Sequence, residues 1–242
     1  MSETVYQITW GLLLNRALRI VGAYDSGKLP RAEQTNDALL ALNLMLKEWQ
    51  VDGSLWLVTP FQQTLIANHI YYELGPGGTA QYWPQLSTTV DRPTRIKNLR
   101  RLNSSGIETQ LGREGNPISR QEYMQKPNKT VTGTVVEAYY DPQLVNGILY
   151  VWPAPAPGVT DVLIGDCDRP IQVPTVDTDT LDVPQEWQDP ITFCLAERLW
   201  WEYPGNSADY QLLQQRALLG KQAVFDYDRD PAPTQYQPGG DY

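Results

Sequence analysis

The chain of 242 residues carries 28 Asp and Glu against 19 Lys and Arg, for a formal net charge of -9 and a pI of about 4.6. Gripping nucleic acid by neutralising phosphates takes clustered cations in excess; this acidic balance argues against tight DNA binding by the isolated subunit, and an acidic surface beside DNA keeps the duplex moving. With 41% hydrophobic and 19% charged residues the chain is globular, and its single histidine excludes a His-rich zinc site.

In chain order, the spacing of Trp10, Leu13, Ala17 and Ile20 predicts a helix over Gln7 to Val21, with Leu14, Leu18 and Val21 widening the stripe and Gly22 ending it. A second helix runs from about Arg31 to Val51. Pro30 is expected in its first turn, Glu33 near its positive end, and Leu39, Leu42, Leu46 and Trp49 on its apolar face. Asp37, Asn43 and Lys47 decorate the other face, and Asp52-Gly53 stops the helix. From Ser54 the period changes to two. Strands are expected at Leu55–Val58, Phe61–Ile66, Ile70–Leu74, Thr94–Leu102, Glu108–Leu111, Thr134–Tyr140, Ile148–Val151 and Val162–Cys167, with one helical turn at Ser119–Met124. GPGG at 75–78 and PAPAPG at 153–158 read as turns, and Asn146-Gly147 as a hairpin tip. Many short strands at this spacing suggest a sandwich or small barrel.

The stretch Pro184 to Asp228 reads as two further helices. The first, roughly Pro190 to Tyr203, has Asp189 as its expected cap, Pro190 in the first turn, and Ile191, Leu195 and Leu199 on one face. Pro204-Gly205 breaks the pair, with Asn206 or Ser207 as a cap, and Tyr210, Leu213, Ala217 and Val224 mark the second helix. The expected fold is therefore α+β. An antiparallel helical bundle is built from both chain ends, 1–53 and 184–228, around an inserted antiparallel β-sandwich-like domain at 54–183, with an extended Pro- and Gly-rich tail at 229–242. No apolar run approaches the ~20 residues of a membrane span, and MSETVYQ is no signal peptide, which predicts a cytosol-like compartment of synthesis.

Few residues offer chemistry. Cys167 and Cys194 form no CxxC pair and are expected reduced, with Cys194 in a helix face. His69 reads as a solvent-side strand residue. GPGG lacks the GK[ST] ending and helix of a phosphate loop. The acidic region from Asp161 through Asp166, Asp168, Asp177 and Asp179 to Asp182 lacks a calcium loop's glycine and bidentate Glu, so a solvated loop is expected. No catalytic residue, metal site or cofactor is assigned. Arg92, Arg95, Lys97, Arg100 and Arg101 form the one basic run, read either as contacts to a phosphate or acidic partner or as strand-edge charge. Eight Trp and fourteen Tyr against three Phe favour wet interfaces. Trp200 and Trp201, about 100° apart on a helix, cannot share one face.

Taken together, ALRIVGAYDSG followed by ALLALNLMLKEWQVDGSLW, YYELGPGG followed by DRPTRI, GILYVWPAP, and VPQEWQDPITFCLAERLWWEYPG resemble the head-to-tail adaptor proteins of tailed bacteriophages, also called head completion, connector or packaged-DNA stabilisation proteins. The resemblance runs through nearly the whole chain in the right order; Pro190 departs from the usual form. It implies a structural virion protein of the neck, made in the host cytoplasm. Its homo-oligomeric ring, usually dodecameric, would join the portal protein to a tail or nozzle protein. The ring would pass genomic double-stranded DNA without sequence-specific binding and help retain it, with no enzymatic role and no membrane. On that reading Tyr227, Arg229, Tyr236 and Tyr242 are candidates for portal binding. Trp200, Trp201, Arg92 and Arg95 are candidates for the subunit or tail interface. Two rival functions are a virion-associated cell-wall hydrolase using a carboxylate pair, and a glycan- or protein-binding module presenting Trp83 or Trp152.

Overall fold

The computed structural model describes residues 8–25, 27–52, 57–82, 90–176, 178–203 and 207–228. It is a mixed α+β chain, 35% helix and 25% strand, with antiparallel sheets. Two compact units divide it: a helical unit from both ends of the chain, 1–56 with 171–242, and a β unit, 57–170. The second boundary thus falls at Pro170 and not at 183. The cause is a set of bonds that ties the returning segment to the first helices. Asn43 Nδ2 donates to the Pro174 carbonyl (3.3 Å), Lys47 Nζ to the Ile171 carbonyl (3.1 Å), and the Trp10 amide to the Asp179 carbonyl (3.1 Å).

In the helical unit, α1 spans Trp10–Ile20 and buries Trp10, Leu13, Leu14, Ala17 and Leu18. It ends in a Schellman motif: Gly22 has φ +74°, its amide reaches the Arg19 carbonyl, and the Ala23 amide reaches Leu18. α2 spans Ala32–Asp52. The Arg31 carbonyl already accepts from the Thr35 amide, so Arg31 is the N-cap and Pro30 lies outside the helix, not in its first turn. Gln34 accepts from the Arg31 amide at 2.8 Å, doing the work of a capping-box Glu. The buried face of α2 is Ala38, Ala41, Leu42, Met45, Leu46 and Trp49, one step round from the expected stripe, which leaves Leu39 half-buried. The expected stop at Gly53 and the break and cap at 204–206 lie outside the described residues.

A short α-helix of the β unit, α3 (Arg120–Met124), is closed by a full capping box between Ser119 and Glu122. α4 spans Gln188–Leu199 after one 3-10 turn, Gln185–Trp187. Trp187, not Asp189, is its N-cap. Pro190 nevertheless sits in the first turn, where no amide is needed. α4 packs on α1, α2 and α5 (Ser207–Tyr227) and buries Ile191, Thr192, Leu195, Ala196 and Leu199. At Gly220 of α5 a Cβ would stand 3.5 Å from Pro190, an ordinary packing contact.

The β unit holds a five-stranded sheet in the order β3-β1-β10-β4-β5, a three-stranded sheet β2-β8-β7, and a two-stranded parallel pair β6-β9. The strands are β1 Val58–Thr64, β2 Tyr71–Leu74, β3 Gln81–Tyr82, β4 Arg95–Leu102, β5 Glu108–Gln110, β6 Thr132–Gly133, β7 Glu137–Asp141, β8 Gly147–Trp152, β9 Ala154–Pro155 and β10 Val162–Asp168. Phe61, Leu74, Leu99, Leu149, Val151 and Leu163 are fully buried in its core. Differences from the sequence reading have local causes. Pro60 does not end β1, because β3 covers only Phe61 and Gln62, leaving Pro60 at an edge that needs no amide. Asn146-Gly147 is not the hairpin tip: Gly147 already pairs with Leu74 inside β8. PAPAPG is not all turn, since Ala154 and Pro155 form β9 against β6. His69 lies in the exposed turn before β2, not in the strand.

Candidate functional site

The helical unit carries a groove of about 530 Å³. α4 forms its floor with Cys194, Glu197 and Arg198. α2 forms one wall with Met45, Glu48 and Trp49, and α5 the other with Gln211, Gln214, Gln215, Leu218 and Lys221. The α5 positions recur at three and four residues, one stripe beside the Leu213, Ala217 and Val224 face that is buried.

The groove is electrically quiet. Arg198 pairs with Glu48 at 3.0 Å, Glu197 accepts from the Tyr210 hydroxyl at 3.0 Å, and Lys221 Nζ stands 5.4 Å from both the Trp49 and Phe225 ring centres. Trp49, Trp187 and Phe225 form an aromatic cluster with centroids 5.1–6.0 Å apart. The Cys194 thiol donates to the Ala217 carbonyl (3.3 Å), and burial pushes its pKa up to about 12 against a smaller opposing effect of Lys221. A thiol that keeps its proton is a poor nucleophile.

Trp200 is buried whereas Trp201 is 76% exposed, the split that helical geometry requires. Both rings flank Tyr210, at 5.6 and 5.9 Å. Tyr227, 79% exposed, lies at the end of α5, and Arg229, Tyr236 and Tyr242 lie outside the described residues, as does Trp83. Leu40, Leu44, Leu212, Leu218 and Leu219 are also exposed on α2 and α5.

The basic run belongs to the β unit, and most of it is neutralised there. β5 covers β4 only over Arg100–Leu102. Lys97 pairs with Asp168 (3.2 Å), Arg101 with Asp161 (3.2 Å) and Arg100 with Glu108 (2.6 Å); Asn98 donates to Asp166 (2.8 Å). Strand-edge charge therefore does not describe Arg100 and Arg101. The run and half of the acidic region are one ladder across β10, β4 and β5. Arg92 donates to the Gln143 carbonyl (3.2 Å), and Arg95 is exposed. Of the remaining acidic residues, Asp177 lies outside the described residues, and Asp179 and Asp182 close loops. Asp179 accepts from the Val176 and Thr175 amides, which hold its carboxyl below the usual range, and Asp182 accepts from Gln172. Among the described residues no group of three or more His, Cys, Asp or Glu could hold a metal, and no helix is long and apolar enough to cross a membrane.

Sequence reasoning missed a tyrosine row. Tyr71, Tyr150 and Tyr139 stand opposite one another across β2, β8 and β7, and Tyr123 of α3 stacks on Tyr139 at 5.6 Å. Its only trace in sequence is one Tyr of matching parity in each of NHIYYEL, EAYYD and GILYVW; the register was needed to align them. Trp152 is already engaged, its indole N–H donating to the Asn128 carbonyl and its face covered by Lys126 at 4.7 Å. Neither family models nor curated proteins show a match to this chain.

Proposed function

We propose that the chain is a structural adaptor of a phage neck, whose helical unit is a bundle that docks on neighbouring protein and whose β unit is a sandwich-like insertion. The observation that carries this reading is the run of large apolar side chains left in solvent on the helical unit: Leu40 and Leu44 on α2, Trp201 after α4, and Leu212, Leu218 and Leu219 on α5. Long helices that keep leucines wet are suited to being covered in an assembly. The resemblance supplies the partners: copies of the chain in a ring, the portal above, a tail or nozzle protein below, and genomic DNA through the bore. The acidic balance of the chain suits passage of DNA without a grip on it.

The test is negative-stain imaging and native mass measurement of the chain with and without portal. A ring seated on the portal is expected. Removal of residues 229–242 should weaken that seating and leave the subunit folded. A monomer that never associates with portal, yet clears cell-wall substrate in a manner abolished by one Asp or Glu substitution, would replace the adaptor reading with a hydrolase.

A further inference from the structure

We infer that the groove between α2 and α5 is a docking site for an uncharged, proline-rich strand, and that its occupant in the free subunit is stretch 231–240 of the same chain. Three observations converge. The first is chemical. Glu48 pairs with Arg198, and Glu197 and Lys221 add one charge of each sign, so the lining is neutral overall. PAPTQYQPGG, residues 231–240, is the longest charge-free run after α5.

The second is the lining. Leu218, 56% exposed, gives apolar surface on the α5 wall, and the exposed side chains of Gln211, Gln214 and Gln215 give a row of amides. Proline rings bury apolar surface with no loss of side-chain freedom. Amide side chains both donate and accept, which suits a strand whose backbone makes no internal hydrogen bonds.

The third is reach. Lys221, the last lining residue on α5, is six residues before the end of that helix. From Lys221 back to Gln211 is ten residues of helix, about 15 Å. A polyproline strand covers that in about five residues, so the run is long enough to turn and lie along the groove.

This goes beyond the adaptor reading, in which the same segment is expected on the portal: the groove would hold it until the portal takes it over. Failure here leaves portal docking untouched.

Gln215→Cys places an exposed thiol at the groove to report occupancy, and Cys167, fully buried in the β unit, is the internal control. The rate of iodoacetamide labelling at position 215 is read by peptide mass spectrometry in that variant of the full chain, of a chain ending at Asp228, and of full-length Leu218→Glu, with helix content followed by circular dichroism. Expected is labelling at least five-fold faster in the shortened chain, restored protection when peptide 229–242 is added, and faster labelling in Leu218→Glu, which puts a charge in the slot. Equal rates in full and shortened chains overturn the proposal. Protection that grows with protein concentration also overturns it, since the occupant would then be a second copy. If the shortened chain fails to fold, Leu218→Glu decides alone.

Discussion

Replacing Arg101 by Met distinguishes a basic run that serves the sheet from one held ready for phosphate. Arg101 Nη1 lies 3.2 Å from Asp161 Oδ2, and the two side chains are only 16% and 11% exposed. At an effective dielectric constant of 20, the attraction at that distance is about 5 kcal/mol before the cost of removing both charges from water. Deleting one partner leaves Asp161 buried and uncompensated, which costs about 3–5 kcal/mol. Taking about 3 kcal/mol, amides of β4 and β10 that exchange only by global opening of the unit should exchange roughly a hundredfold faster. Hydrogen exchange read by mass spectrometry on peptides covering 95–102 and 162–168 measures this. The double variant Arg101→Met with Asp161→Leu should recover most of the loss, because no charge is then stranded. Arg95→Met, at an exposed position, should change exchange by less than a factor of about 3. If Arg101→Met leaves exchange of β4 and β10 unchanged, the ladder does not hold the sheet together and the phosphate reading of the run returns.

Gly165→Ala should destabilise the β unit by about 1–3 kcal/mol, since its Cβ would stand 2.8 Å from Leu99 Cδ2 and 3.2 Å from the Lys97 carbonyl. Gly133→Ala, with nothing nearer than 3.5 Å, is the control, and equal urea midpoints for the two would refute the packing argument. High pH should unfold the protein: burial pushes Cys167 and Tyr82 up to about 12 from 9.0 and 10.0. The folded form then keeps protons that the unfolded chain releases, so stability is full below pH 9 and falls as pH rises toward 12, by ~1.4 kcal/mol per pH unit per proton. A urea midpoint that stays flat from pH 8 to 11 would contradict it. Trp201→Ser should change stability by less than ~0.5 kcal/mol while reducing ring or portal association, whereas Trp200→Ala should cost about 3–5 kcal/mol. Association that survives Trp201→Ser removes that ring from the interface.

Helices were legible because their faces repeat: the stripes of α1 and α4 can be read directly from Trp10 to Val21 and from Ile191 to Leu199. Strands were legible where both neighbours leave an alternating face, as in β8 and β10. What escaped depends on pairing. β3, β6 and β9 are two residues each, too short to show any period, and exist only because β1 or each other supplies bonds. The fate of the basic run escaped for the same reason. Nothing in Arg95 to Arg101 says that Asp161 and Asp168, some 60 and 71 residues on, will stand across from it. The return segment 171–183 looked like a loop of the β domain because its attachment runs through backbone carbonyls, which no side-chain pattern records.

Interleaving the helical unit with the β unit also has a consequence during synthesis. α1 and α2 leave the ribosome early, but α4, which covers them, begins 136 residues after α2 ends, from 52 to 188. At about 5–20 residues per second of synthesis that is a delay of roughly 10–30 s. The β unit is contiguous and is complete within that interval. The nascent chain therefore carries a finished domain behind a sticky N-terminal hairpin whose leucines await their cover. Chaperone demand for this protein should concentrate on that window and end when α4 emerges.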